Sequence, residues 1–168
     1  EYIKQHALAW SVTYEEENVI DNINIRNATH SAMHKSIREI MDNFKQTHQY
    51  CNEFYLLVDG NDFKPYTYFN KKTSQIQQVN HIAIEGGDNK YCSIAAASIL
   101  AKVERDRYIT ELCVCYKKLD EYYNLGSNKG YGTVAHIHGI KNIGISPWHR
   151  KTYGCCKFAQ IHSADFFL

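Results

Sequence analysis

Apolar positions along the chain recur with the periods of both strands and helices. Residues 6 to 14, His-Ala-Leu-Ala-Trp-Ser-Val-Thr-Tyr, mix alternation with β-branched and aromatic side chains, which predicts a strand, and Glu15-Glu16-Glu17-Asn18 predicts a turn after it. From Asn27, a predicted N-cap, Met33, Ile37, Ile40, Met41 and Phe44 recur at spacings of three and four, the stripe of an amphipathic helix whose polar exit is 46–52. The continuous run Phe54-Tyr55-Leu56-Leu57-Val58, ended by Asp59-Gly60-Asn61, predicts a buried strand opening into a turn. A further strand is predicted over 79–84, closed by Gly86-Gly87-Asp88. Ser93 is the predicted cap of a long helix from Ile94 to about Tyr116, whose small first turns, Ala95-Ala96-Ala97-Ser98, allow close approach to a sheet. Residues 122–133 read as a Gly, Asn and Tyr loop, after which Thr133 caps a third helix that stops at Gly144, with Pro147 barring its continuation.

Strand, helix, strand, strand, helix, helix is an α/β order, in which ligands gather beyond the carboxyl ends of the strands. The 168 residues suffice for one domain, 1–168, with its own core. A hydrophobic content of 44%, a charged content of 22% and two prolines exclude a disordered or collagenous chain. No run reaches the roughly 18 to 20 apolar residues of a membrane helix, and the first residues lack the basic and apolar blocks of a secretory signal, so a soluble chain of the cytoplasm is expected. The six cysteines, without a C-x-x-C pair, are expected as free thiols. A zinc site from Cys155, Cys156, His149 and His162 is an alternative with poor ligand spacing.

A formal charge of +1 conceals an uneven distribution. Residues 126–164 hold Lys129, Lys141, Arg150, Lys151 and Lys157, together with four histidines and no acid, while the remaining residues carry all eighteen acids and fourteen bases, a net of −4. A basic stretch bearing Tyr and Trp beside an acidic body suits phosphate contact, with a solvated surface as the alternative.

Asp59 and Asp88 each end a predicted strand, and they could converge on one cation if those strands are neighbours. Mg²⁺ and Mn²⁺ prefer oxygen ligands, and a metal pair can stabilise both the attacking and the leaving oxygen of a phosphodiester. Spacing alone also allows simple turn chemistry at both aspartates. Lys90, Lys102 and Arg105 are candidate phosphate or carboxylate partners, whereas Asp106 reads as a salt-bridging helix residue, and Trp148 and His149 as packing groups.

Val58-Asp59-Gly60, Gly87-Asp88-Asn89-Lys90, the run 93–103 with Arg105-Asp106-Arg107, and Lys129-Gly130-Tyr131-Gly132-Thr133 with His136 together resemble ribonuclease HII. So do Ala28-Thr29 with Ala32-Met33, and Ser146-Pro147-Trp148-His149-Arg150-Lys151. The resemblance covers nearly the whole chain. It implies a ribonuclease H-like mixed sheet flanked by helices, with a C-terminal helical tail. It implies cleavage, with Mg²⁺ or Mn²⁺, of the RNA strand of RNA/DNA hybrids and at ribonucleotides embedded in duplex DNA, by a protein that is a monomer when complete. Asp59 is then a metal-binding catalytic carboxylate, Asp88 the fourth catalytic acid, and Tyr131 the ring that stacks on the sugar at the RNA-DNA junction. Flanking glycines would let that ring approach a nucleotide closely.

The chain departs from the family in one respect. Family members begin with a strand carrying Asp-Glu-x-Gly-Arg-Gly, whose acids complete the metal site; here that motif is missing, and Glu15, Glu16 and Glu17 do not replace it. An N-terminally incomplete copy, starting in the third strand and inactive alone, is therefore expected. A non-catalytic nucleic-acid-binding remnant is the alternative.

Overall fold

The computed structural model describes residues 1–47 and 53–168, with the backbone alone for 45–47. Residues 48–52, the end of the predicted polar exit, and Cys51 lie outside it. The chain divides into two compact units, Glu1–Thr13 with His30–Ala101, and Tyr14–Thr29 with Lys102–Leu168. Parallel and antiparallel strand pairs flanked by helices give the expected α/β class.

In the first unit, β1 (Tyr55–Asp59) pairs in parallel with β4 (Asn80–Ile84), in a register that runs from Tyr55 opposite Asn80 to Asp59 opposite Ile84. Between them, β2 (Thr67–Asn70) and β3 (Gln75–Gln78) form an antiparallel hairpin. The turn is built by Asn70, whose Oδ1 accepts from the Lys72 and Thr73 amides, and by Ser74 at φ 53°. Sequence patterning missed this hairpin because β3, Gln75-Ile76-Gln77-Gln78, has a single apolar residue and so no alternation to read. Met41, Tyr66 and Val79 form the buried cluster, and Ile37, Phe54, Leu56 and Phe63 pack against it.

Two expectations for this unit are corrected. The strand predicted over 6–14 is absent: α1 (Tyr2–His6) opens the chain, and residues 7–16 have no strand pairing among the described residues. Instead, Thr13 Oγ1 donates to the Ala32 carbonyl at 2.7 Å, so the segment is held by side chains rather than by a ladder. The strand at 55–59 is half-buried, not buried. Val58 faces the core, but Tyr55, Leu57 and, on β4, Ile82 remain 62%, 38% and 45% exposed, so the other face of this two-stranded sheet is only partly covered.

Helix α2 (Glu17–Thr47) is two helical stretches meeting at Asn24, where φ 66° and ψ 163° break the helix. Asn24 Oδ1 accepts from the Asn27 amide at 3.1 Å, so the cap is Asn24 and not Asn27, whose own side chain donates back to the Ile23 carbonyl. Glu17, predicted in a turn, starts the helix, where a carboxylate meets the positive end of the helix dipole. Helix α3 (Cys92–Cys115) starts one residue before Ser93, so Ser93 is helical and not its cap.

The second unit replaces the first half of the loop predicted over 122–133 with short helices, α4 (Lys117–Tyr123) and α5 (Leu125–Asn128), separated by Asn124 at φ 55°. The left-handed residue ends one helix and starts the next, a device that periodicity does not register. Helix α6 (Val134–Ile143) is as predicted, with Thr133 Oγ1 accepting from the His136 amide and Gly144 ending it. Leu112, Leu119, Tyr123, Leu125, Ile140, Ile145, Cys156 and Phe167 form a closed core. Trp148 packs on Tyr116 at 4.4 Å, as expected of a packing group.

Candidate active site

The parallel pairing of β1 with β4 makes neighbours of the two strands that end in the candidate acids. Asp59 is the last residue of β1, and Asp88 lies in the 3₁₀ turn Gly87–Asn89 that follows β4. The Gly87 amide donates to Asp59 Oδ1 at 2.8 Å, so the carboxylate of one strand end is tied to the residue preceding Asp88. Space favours glycine there: a Cβ would stand 2.7 Å from Ile94 Cδ1 and 3.3 Å from Asp59 Oδ1, so the end of the Ile94 side chain would have to move. Both aspartates are exposed, and Asp88 Oδ1 accepts from Asn89 Nδ2 at 3.1 Å. Lys90, in the same turn, sends its ammonium to the Glu85 carbonyl at 2.7 Å.

Exposed carboxylate oxygens suit a hard divalent cation in kind. They fall short in number, because no group of three or more His, Cys, Asp or Glu among the described residues is arranged to hold a metal. The zinc alternative fails on the same ground: His149 is bonded to Ser146 and His136, and His162 Nε2 donates to the Ile143 carbonyl at 2.7 Å.

Lys102, Arg105 and Tyr131 belong to the second unit. Lys102 is exposed on α3. The Arg105 guanidinium lies 5.0 Å from the centroid of the Tyr131 ring, a cation–π distance, and 3.4 Å from Asp106, whose expected role as a salt-bridging helix residue holds. Tyr131 is 60% exposed, yet its backbone is held on both sides. Its amide donates to the Asn128 carbonyl at 2.9 Å, and its carbonyl accepts from the Thr133 amide at 2.8 Å and from His136 Nδ1 at 3.0 Å. Lys129 at φ 50° and Gly130 at φ 79° turn the chain into this position, and only the glycine adopts such a φ without cost. The buried Asn128 supports the turn, accepting from the Gly130 amide and donating to the Tyr123 carbonyl. Sequence reasoning missed Asn128, although an Asn one residue before Lys-Gly is a recognisable turn signal. It also missed the joining of His136 to His149, thirteen residues apart with no shared element.

The family model described as Ribonuclease HII matches residues 1–158. This chain belongs to the ribonuclease HII family. The ribonuclease HII of Phocaeicola vulgatus is 41% identical over 153 residues, which cover 91% of this chain and 65% of that protein. That of Parabacteroides distasonis is 40% identical over 151 residues, covering 90% and 64%. In Caldanaerobacter subterraneus the ribonuclease HII is 40% identical over 153 residues, covering 91% and 54%. The chain therefore spans between 54% and 65% of the length of these ribonuclease HII relatives. No helix among the described residues is long and apolar enough to cross a membrane.

Proposed function

We propose that this chain serves a cytoplasmic, monomeric ribonuclease that hydrolyses the RNA strand of RNA/DNA hybrids and cuts at ribonucleotides embedded in duplex DNA. The observation that carries the reading is the juxtaposition of Asp59 and the Gly87-Asp88 turn at one end of a parallel strand pair, in a chain of the ribonuclease HII family. Asp59 and Asp88 would hold Mg²⁺ or Mn²⁺, which when bound supply Lewis-acid stabilisation of the attacking and leaving oxygens in a two-metal hydrolysis.

The chain's own residues orient and bind. The Gly87 amide fixes the rotamer of Asp59, and Lys90 keeps a positive charge in the turn that carries Asp88. Tyr131 offers an exposed ring on a held backbone, with Arg105 against it, as a platform for the nucleotide at the RNA-DNA junction. Lys102 and the basic stretch 126–164 supply phosphate contacts. Because no third ligand joins the aspartates among the described residues, the 168-residue chain by itself is expected to bind hybrid without cutting it.

Cleavage assays of the chain, and of a chimera joining it to the family's Asp-Glu-x-Gly-Arg-Gly segment, test both halves. In the active form, Asp59→Asn is expected to lower cleavage by orders of magnitude while leaving hybrid affinity largely unchanged, with Asp88→Asn acting in the same direction. Unchanged cleavage by Asp59→Asn across Mg²⁺ and Mn²⁺ concentrations removes it from the site. A chimera that binds hybrid and never cuts favours the non-catalytic alternative. Tyr131→Phe keeps the ring and most activity, whereas Tyr131→Ala is expected to lose up to about 100-fold on a single embedded ribonucleotide and less on a long hybrid. Equal losses on the two substrates would assign Tyr131 to folding instead.

A further inference from the structure

A line of buried polar groups runs from the turn after α6 to the backbone of Tyr131. The Ser146 amide donates to His149 Nδ1 at 3.1 Å, and Ser146 Oγ lies 2.7 Å from the same nitrogen. His149 Nε2 is 3.0 Å from His136 Nε2, and His136 Nδ1 is 3.0 Å from the Tyr131 carbonyl oxygen. The two ends of this line have no freedom: an amide can only donate and a carbonyl can only accept. His149 Nδ1 must therefore be bare and His136 Nδ1 must carry a proton. With one proton on each neutral ring, the Ser146 hydroxyl also donates to the bare His149 Nδ1, which it shares with the amide, His149 donates through Nε2 to a bare His136 Nε2, and no two N–H groups face each other along the line.

A second proton on either ring would set two N–H groups against each other in a buried site. Ser146 is fully buried, and His136 and His149 are 7% and 8% exposed. Tyr123 is the ionisable ring packed on both, at 5.8 Å from His136 and 4.8 Å from His149, with Cys156 and Tyr122 acting on Tyr123 in turn. Burial lowers the affinity of both imidazoles for a second proton.

We propose that His136 and His149 are positioning residues, whose one-way hydrogen-bond chain, anchored at the Ser146 amide, holds the Tyr131 carbonyl and so fixes the angle at which the exposed Tyr131 ring meets a nucleotide. This rests on the reading of Tyr131 as the stacking residue. The two imidazoles touch no substrate; they act through the backbone they hold.

The first test is made on the 168-residue chain without any nucleic acid. Histidine ¹⁵N spectra at pH 7 are expected to show His136 as the Nδ1–H tautomer and His149 as the Nε2–H tautomer. The reverse assignment, or a charged ring at either position, would overturn the proposal, and this readout stands whatever the variants do. The second test compares the affinity of the chain for a DNA duplex with one embedded ribonucleotide against the all-DNA duplex, at one salt concentration. His136→Asn retains an N–H near the place of Nδ1 and is expected to keep the preference within about twofold, whereas His136→Phe is expected to reduce it by about tenfold, within the range of a lost stacking contact. If a folded His136→Phe keeps the preference while Tyr131→Ala loses it, the positioning role is wrong and the stacking role survives. If Tyr131→Ala keeps it, the reading of Tyr131 fails on its own account. Equal losses in His136→Asn and His136→Phe would reduce the pair to a packing role and also overturn the proposal.

Discussion

The two units of this chain are built to opposite economies. In the second, five side chains, Leu119, Tyr123, Ile145, Ser146 and Phe167, are fully buried, and its candidate recognition residue projects from a backbone tied on both sides. In the first, the candidate acids end a two-stranded sheet with Leu57 and Ile82 on an exposed face, over a smaller buried cluster. The difference teaches where order comes from in each. Backbone hydrogen bonds with Asn128, Thr133 and His136 set the geometry of Tyr131, whereas a short parallel ladder and one amide-carboxylate bond set that of Asp59. Substitutions of like size are therefore expected to have unlike costs in the two units.

The largest effect is expected from Leu119→Ala, which empties a site with no exposure and is expected to destabilise by about 2–5 kcal/mol. Leu57→Ala removes the same atoms from a residue 38% exposed and is expected to cost about 1–2 kcal/mol. Denaturant unfolding of the two variants checks the contrast, and equal losses would mean that the sheet face is covered in solution.

A smaller effect is expected from pH. His149 is held down to about 4 by burial and by the neighbouring His136 imidazole. The unfolded chain takes up this proton near pH 6.5 and the folded chain does not, so stability is full above about pH 6.5 and falls as pH drops toward 4, by up to about 3 kcal/mol. A Trp10→Phe variant leaves Trp148 as the fluorescent reporter within the second unit, and its thermal midpoint is expected to drop over that window. A midpoint that stays level between pH 7 and 4.5 would show that His149 is charged or solvated. The smallest effect is on association. The exposed apolar face and unpaired strand edges among the described residues favour self-association, and Leu57→Lys is expected to reduce it in sedimentation while lowering the thermal midpoint less than Leu119→Ala does.

Much of this was legible in the linear pattern. The stripe from Met33 to Phe44 required a helix, the apolar run ended by Asp59-Gly60 required a strand end, and Thr133 and Gly144 bounded α6 from chemistry within a few residues. Such features depend on local propensity and period, which a sequence carries in full. Three others depended on which groups meet across the fold. The alternation in 6–14 was sufficient for a strand, but a strand needs a ladder partner, and no segment among the described residues supplies one. The parallel register of β1 and β4, which makes Asp59 and the Gly87-Asp88 turn neighbours, joins residues 28 positions apart. The proton order through His149 and His136 is set by an amide at one end and a carbonyl at the other, because a buried imidazole takes its tautomer from its partners and not from its own sequence position.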